Sequence, residues 1–267
     1  MLRQRILTAL VLIPLALWLV LFADVRVFMV AAVIVLALIS WEWALLMGFT
    51  DVKQRAAIAL VFLVGVLLFT RTVPQLQPFT LAALLLVAYG IKLYPMGARY
   101  WLSRWVVFPF GMLMCSMFYY SAMVLKQVQI GEKPSYYLLY VMVLVWSADI
   151  AAYFVGKRWG KHRLIPRVSP GKSVEGLIGG LAASVLIAAI FKLLFPFLTM
   201  TWSIWLSIAL AVSLASVVGD LQISMLKRQQ GLKDTGAWLP GHGGILDRID
   251  SLIPAVILFA AFIRMWS

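Results

Sequence analysis

Long apolar runs separated by short polar breaks dominate the sequence from end to end. A run of about 20 apolar residues is long enough to cross a hydrocarbon layer of roughly 30 Å as an α-helix. We therefore expect an all-α, polytopic integral membrane protein. The pattern predicts about nine transmembrane helices, over residues 6–23, 25–47, 56–70, 77–91, 105–125, 135–156, 174–195, 203–224 and 251–267.

Composition agrees with a membrane protein. Apolar residues make up 64% of the chain and charged residues 12%, against about 25% charged residues in ordinary soluble proteins. Arg3 and Arg5 precede the first apolar run, but no A-x-A-like cleavage site follows it, so we interpret this run as a retained helix. The single cysteine, Cys115, lies inside a predicted span, which excludes a disulfide framework or a Cys-based zinc site within one chain.

The basic residues are distributed unequally between the two ends of the predicted helices. With a cytoplasmic N-terminus, most of the 23 Lys and Arg residues fall on the cytoplasmic side, as the positive-inside rule requires. This orientation places the C-terminus on the opposite side. The formal charge of +13 does not indicate nucleic acid, because the basic residues lie in short loops where they meet anionic lipid.

We divide the chain into two membrane regions. Residues 1–130 form the N-terminal membrane helices, and residues 131–267 form the catalytic membrane helices. The second region carries two predicted cytoplasmic loops, at 157–173 and 225–250, in which the polar residues concentrate.

Three carboxylates stand out inside predicted spans, where an ionised side chain costs about 2.5–3.5 kcal/mol at the helix centre. Asp149 and Asp220 precede the lysines of the two loops by eight and seven residues. At 1.5 Å per residue, both carboxylates lie about 10–12 Å below those loops, which favours a functional role. For Glu42, between two tryptophans, we favour a structural hydrogen bond or an interfacial position.

The first predicted loop is rich in cations and glycine, and it suits an anion. Ser169, Lys172 and Ser173 lie just before the next predicted helix, whose free N–H groups can hold a phosphate. A P-loop is excluded, because its first glycine would have to occupy the position of Pro166. An ordinary positive-inside loop with a serine cap remains the alternative.

The second predicted loop brings carboxylates and cations together in one short segment. Hard carboxylate oxygens bind Mg²⁺ while lysines and arginines neutralise phosphate charge, as metal-assisted phosphoryl or nucleotidyl transfer requires. Gly243 and Gly244 allow a close backbone approach to a phosphate, although His242 and these glycines also fit a plain turn. The charged residues are Asp220, Lys227, Arg228, Lys233, Asp234, Asp247, Arg248 and Asp250.

At these residues the chain resembles the phosphatidate cytidylyltransferase (CDP-diacylglycerol synthase) family. A 27-residue signature is matched by Ser224, Lys227, Arg228, Lys233, Asp234, Gly236, Leu239, Pro240, His242, Gly243, Gly244, Ile245, Asp247, Arg248, Ile249 and Asp250. Segments resembling the family upstream are Trp41–Trp43, Asp149–Gly156 and Ser169–Gly176. The chain departs from the pattern at Ile223, where many members carry an acidic residue.

The resemblance implies transfer of a cytidylyl group from CTP to phosphatidate, with Mg²⁺ as cofactor, in a homodimer embedded in a bilayer. It implies that Asp220, Asp247 and Asp250 bind the metal. It implies catalytic charge neutralisation by Lys227, Arg228, Lys233 and Arg248, and substrate binding by Asp149, Ser169, Lys172, Ser173, Ser224, His242, Gly243 and Gly244. The site would face the cytoplasm, where CTP is dissolved.

Two alternatives remain open. A CTP-dependent lipid kinase would use similar ligands but would transfer the γ-phosphoryl group. An anion transporter would place its polar residues near the midplane and show an internal repeat, and the sequence shows neither feature.

Overall fold

A computed structural model describes residues 2–130, 133–134, 136–195 and 200–266. The predicted boundaries at Gly131, Ser135 and Ser267 lie outside the described residues. The helices are α1 Leu2–Leu21, α2 Val25–Leu46, α3 Val52–Phe69, α4 Val73–Leu76, α5 Thr80–Leu93, α6 Ala98–Trp101, α7 Arg104–Gln127, α8 Tyr137–Trp159, α9 Val174–Leu194, α10 Trp202–Gln229, α11 Leu246–Ile249 and α12 Leu252–Trp266. The strands are β1 Gln129–Ile130, β2 Lys133–Pro134, β3 Arg163–Ile165 and β4 Ser169–Ser173, which form two antiparallel hairpins.

Within the described residues, six helical segments are long and apolar enough to cross a membrane, with Val52–Leu93 counted as one segment. Two further apolar helices, Leu7–Leu21 and Leu252–Trp266, are shorter. The expectation of a helical, multi-pass membrane protein is therefore confirmed. The count of nine crossings and the orientation of the termini stay predictions.

The segment Val52–Leu93 reverses direction, so that α3 and α5 run in opposite directions through the bundle. α3 and α7 are parallel, because Phe62 packs on Phe108 and, farther along, Gln77 donates to the hydroxyl of Ser121. The ring of Trp101, just before α7 begins, lies against the last turn of α5. The chain therefore turns back between α3 and α5, through two 3-10 turns, Thr70–Thr72 and Gln77–Phe79, and this segment separates the two crossings predicted for 56–70 and 77–91.

The last helix, α12, lies at the centre of the bundle. Its residues from Leu252 to Ala261 are all buried, and it packs against α5, α7, α8 and α10. An apolar surface on every side suits a helix that is enclosed by neighbours or by lipid, and here neighbouring helices enclose it. With 15 residues, α12 spans roughly 22 Å, so it is shorter than the predicted ninth crossing required.

Small residues bring α8 and α9 into close contact. A Cβ on Gly176 would lie 2.8 Å from the carbonyl oxygen of Ala152, and one on Gly180 would lie 2.9 Å from that of Ala148. Small side chains let helices approach closely in a membrane. This pair of helices fixes the segment between them, residues 160–173, which we call the hairpin loop because it contains β3 and β4.

Two predicted loop boundaries differ from the structure. α8 continues through Trp159, and α10 continues to Gln229, so Lys227 and Arg228 lie on the last turns of a helix and not in a loop. Cations are favourable there because the C-terminal end of a helix carries partial negative charge. The second connecting segment, residues 230–245, is called the glycine-rich loop below.

Candidate active site

Two short ion pairs join the loops to α10. Lys172 Nζ, in the hairpin loop, lies 2.6 Å from Asp220 Oδ2, and Lys227 Nζ lies 2.6 Å from Asp247 Oδ1. The first pair is partly exposed, whereas the side chains of Lys227 and Asp247 are 11% and 4% exposed. The structure thus brings both predicted loops to one place, on either side of α10.

Asp247 lies in a dense set of hydrogen bonds. Its Oδ2 accepts from the backbone N–H of Thr235 at 2.8 Å, from the Thr235 hydroxyl at 3.0 Å and from the N–H of Gly244 at 3.0 Å. Burial alone would raise the pKa of Asp247, but the bond from Lys227 and these N–H groups outweigh burial and lower the pKa below its ordinary value. Asp247 is therefore held as a carboxylate with a fixed orientation.

A polar cavity of about 440 Å³ lies beside these pairs. Five carboxylates line it, against one lysine and one arginine: Asp149, Asp220, Asp234, Asp247 and Asp250, with Lys227 and Arg248. Such an excess of hard, negatively charged oxygens attracts a divalent cation. The donor set fits Mg²⁺ in chemistry and in charge.

The metal ligands expected from the sequence are not assembled around one point. Among the described residues, no three His, Cys, Asp or Glu side chains converge as a metal site. Asp250 accepts the N–H of Ser251 at 2.7 Å, and burial raises its pKa, as does the neighbouring charge of Asp220. A cation near Asp220 and Asp250 would offset this repulsion, and it would reach Asp220, 29% exposed, more readily than Asp247, 4% exposed.

A second cavity, of about 570 Å³, opens between α8, α9, α10 and the hairpin loop. Its polar wall carries Asp149, Lys157, Arg163, Lys172 and Asp220, and its apolar wall includes Leu177, Leu181 and Val217. Asp149 and Asp220 also line the polar cavity. The two spaces therefore adjoin at these carboxylates, one amphipathic and one strongly polar.

A third cavity, of about 590 Å³, lies under the glycine-rich loop and shares Asp234 and Arg248 with the polar cavity. Lys233 and His242 line it. The carbonyl of His242 accepts from Arg248 Nε at 3.0 Å, while its buried ring Nδ1 has no hydrogen-bond partner among the described residues. This cavity therefore offers the cationic side chains of Lys233 and Arg248 to a ligand.

Other predicted site residues have structural contacts. Ser173 accepts the N–H of Gly176 at 3.1 Å and so caps α9, and Ser224 donates to Asp220 at 3.2 Å. Arg228 reaches the carbonyls of Val168 and Leu232, and it lines none of these three cavities.

Ser169 also lies away from the three cavities, at the far end of β4, where it pairs with Ile165. Gly243 adopts a φ of +81°, a conformation that favours glycine, and Gly244 lies directly against Thr235 and Glu42.

Sequence reasoning did not assign Thr235 to the site. It lies within the matched segment, but a lone threonine carries no signal of its own. Glu42 had been noticed as a carboxylate within a span, and the structural hydrogen bond favoured for it is confirmed by its three contacts with the far end of the chain.

The fold and the site together define a class of protein. It is a helical membrane protein whose lysine–carboxylate pairs line adjoining cavities, an arrangement typical of enzymes that act on phosphate groups. The chain belongs to the cytidylyltransferase family, whose model matches residues 3–266. It is 42% identical to a phosphatidate cytidylyltransferase from Pseudomonas aeruginosa, covering 98% of this chain and 97% of the relative. It is 37% identical to one from Haemophilus influenzae, covering 98% of both chains, and 33% identical to one from Staphylococcus aureus, covering 82% of this chain and 83% of the relative.

Proposed function

We propose that this protein transfers the cytidylyl group of CTP to phosphatidate, giving CDP-diacylglycerol and pyrophosphate in phospholipid biosynthesis. The observation that carries the proposal is the meeting of an amphipathic and a polar cavity at Asp149 and Asp220, beside two lysine–carboxylate pairs. The names of the relatives support the same reaction.

The two kinds of cavity suit the two substrates. The amphipathic cavity offers Lys157, Arg163 and Lys172 to a lipid phosphate and apolar side chains to the lipid body. The polar and third cavities offer Lys227, Lys233 and Arg248 to the phosphates of a nucleotide. The lipid phosphate and the α-phosphorus then meet at Asp149 and Asp220.

The chemistry requires no protein nucleophile. An oxygen of the phosphatidate phosphate forms a bond to the α-phosphorus of CTP, while the bond from that phosphorus to the oxygen bridging to the β-phosphate breaks. Pyrophosphate leaves with the electron pair. Holding the two phosphates in line and neutralising their charges is enough to accelerate such a step, and Lys172, Lys227 and Arg248 are placed to do so.

We also propose Mg²⁺ as the cofactor, held by Asp220 and Asp250 with Asp247 behind them. When bound, the ion supplies positive charge to the nucleotide phosphates. The excess of carboxylates in the polar cavity supports this assignment. The protein's own residues orient Asp220, through Ser224 and Lys172.

The proposal places the protein in the cytoplasmic or inner membrane, with both loops facing the cytoplasm and the bilayer supplying phosphatidate. The excess of basic residues on that side supports this orientation. The homodimer that the resemblance implies stays a prediction.

Release of pyrophosphate by the purified protein in detergent micelles tests the proposal. We expect release only when CTP, phosphatidate and Mg²⁺ are all present. A lipid kinase would leave CDP and release no pyrophosphate, and a transporter would turn over nothing without a sealed compartment. Either outcome would overturn the proposed reaction.

A further inference from the structure

Glu42 connects α2 to the far end of the chain. Its side chain is 0% exposed. One oxygen accepts the N–H of Ile245 at 2.8 Å, and the other accepts the N–H of Leu246 and the hydroxyl of Thr235, each at 2.8 Å. Among the described residues Glu42 forms no ion pair, so these three neutral donors are its direct partners, and the charge of Arg55 acts on it only from a longer distance.

The glycine-rich loop is shaped around this carboxylate. A Cβ on Gly236 would lie 2.7 Å from Glu42 Oε1, and one on Gly244 would lie 2.5 Å from Oε2. Atoms do not approach so closely without displacement, so only glycine fits at both positions. Gly236 and Gly244, both in the matched segment, thus allow the backbone of the loop to lie close to the Glu42 carboxylate.

Thr235 joins Glu42 to Asp247. The Thr235 hydroxyl lies 2.8 Å from Glu42 Oε2 and 3.0 Å from Asp247 Oδ2. The same threonine donates its backbone N–H to Asp247 at 2.8 Å. Glu42 also accepts hydrogen bonds from the N–H groups of Ile245 and Leu246, the two residues directly before Asp247 in the chain. Glu42 therefore holds both segments that orient Asp247.

We propose that Glu42 is a positioning residue for the transfer reaction, acting through Thr235 and the α11 turn to fix Asp247 and, with it, Lys227. This inference rests on the proposed function. Glu42 touches neither substrate, because it lines none of the three cavities. Its contribution lies in the geometry of the Lys227–Asp247 pair.

The test is the variant Glu42→Gln, which keeps the size of the side chain but replaces one acceptor oxygen with an NH₂ donor. That NH₂ must face a backbone N–H, so one side of the loop is released. We expect kcat to fall roughly 10- to 100-fold, since small displacements at a reacting centre have effects of this size. The KM for phosphatidate should stay within a factor of two, because the amphipathic cavity is untouched.

Hydrogen exchange of peptides separates positioning from general damage. In Glu42→Gln, exchange should speed up in peptides covering 232–250 and stay unchanged in peptides covering α8 and α9. Gln77→Met is the matched control: Gln77 is another buried polar side chain, 4% exposed, which accepts a hydrogen bond from Arg264 on the last turn of α12. Its loss should leave both kcat and the exchange of 232–250 as in the wild type.

Two outcomes would overturn the inference: a Glu42→Gln protein with wild-type kcat, or faster exchange throughout the helices in parallel with lost activity. A wild-type protein without cytidylyl transfer would refute the proposed function instead, and the exchange experiment would still report whether Glu42 holds the loop.

Discussion

Asp220 and Asp247 each form an ion pair with a lysine, but their surroundings differ. Asp220 has one donor on each oxygen, Ser224 and Lys172, and is 29% exposed at the junction of two cavities, whereas Asp247 accepts four hydrogen bonds and is 4% exposed. At the scale of the single residue, Asp220 is therefore the carboxylate that can exchange a protein partner for a ligand. Asp247 keeps Lys227 in place.

Replacing Asp220 should abolish most of the activity while the protein remains folded. In Asp220→Asn we expect turnover to fall at least about 100-fold, because a proposed ligand of the cation that neutralises the reacting phosphates is lost, together with the partner of Lys172. Arg228→Met is the comparison, since Arg228 contacts carbonyls outside the cavities. It should lower thermal stability and leave kcat/KM within a few-fold of wild type. Steady-state kinetics and thermal unfolding of both variants provide the measurement, and equal losses of turnover would contradict the placement of Arg228.

The raised pKa of Asp250 predicts that the stability of the protein depends on pH when divalent cations are removed by EDTA. Burial and the charge of Asp220 raise its pKa in the folded protein, so folding favours the protonated acid. Stability should then decrease as pH rises from the unfolded pKa of about 3.9 toward the folded pKa. Asp250→Asn should flatten that decrease in thermal unfolding followed across this range. An unchanged slope in the variant would show that Asp250 is not the group responsible.

The same carboxylates predict how Mg²⁺ affects the folded protein. Because a ligand that binds only the native state stabilises it, Mg²⁺ should raise the Tm of the wild type at pH 8. The shift should be smaller in Asp250→Asn and in Asp220→Asn, which each remove a proposed ligand. Differential scanning fluorimetry without substrates measures this independently of turnover. An equal shift in all three proteins would place the ion elsewhere.

At the scale of the elements, the glycine-rich loop is the part most sensitive to small changes. In Gly244→Ala the new Cβ would lie 2.2 Å from the Thr235 hydroxyl, so the loop must move away from Asp247. We expect at least about a 10-fold loss of turnover. Gly171→Ala, in the hairpin loop, is the control for an added methyl group: Gly171 lines the wide amphipathic cavity, but nothing lies within 4 Å of its Cβ position. Its turnover, measured in the same assay, should match the wild type, and a Gly244→Ala protein of equal activity would contradict the described packing.

The sequence predicted the helices well, because runs of apolar residues determine where a chain can cross a membrane. It also identified the two loops, and the structure brings Lys172, Asp220, Lys227 and Asp247 together. It did not show which partner each side chain has. The contacts of Glu42 with Ile245 and Leu246 join residues 203 and 204 positions apart, and no local pattern reports such distances.

Position in the sequence also could not separate side chains that bind a ligand from side chains that stabilise the fold. Ser173 and Arg228 both lie in patterns that suit phosphate. Ser173 caps α9 and also lines the amphipathic cavity, so its predicted role in substrate binding stays a prediction, whereas Arg228 holds the hairpin loop to α10. Ile223, the departure from the family pattern, is 1% exposed and lies in an apolar cluster with Leu226 and Ile253. An apolar residue fits this packed position, while Lys227, one turn farther on, takes Asp247 as its partner.

At the scale of the whole molecule, α12 is the element around which the site is assembled. It is buried among α5, α7, α8 and α10, and it begins at Leu252, two residues after Asp250, so that Asp247 and Asp250 lie just before the first turn of this enclosed helix. The close α8–α9 pair places the hairpin loop on the other side of α10. One site is thus formed by segments that are distant in the chain.

The fate of the α-phosphorus tests the central claim most directly. Purified protein in micelles is given phosphatidate, Mg²⁺ and CTP labelled at either the α- or the γ-phosphorus, and the lipid product is extracted. We predict that the α-label enters the lipid and that the γ-label appears in pyrophosphate, in equal amounts. A lipid that takes up the γ-label, or no labelled lipid from a folded protein, would contradict the account.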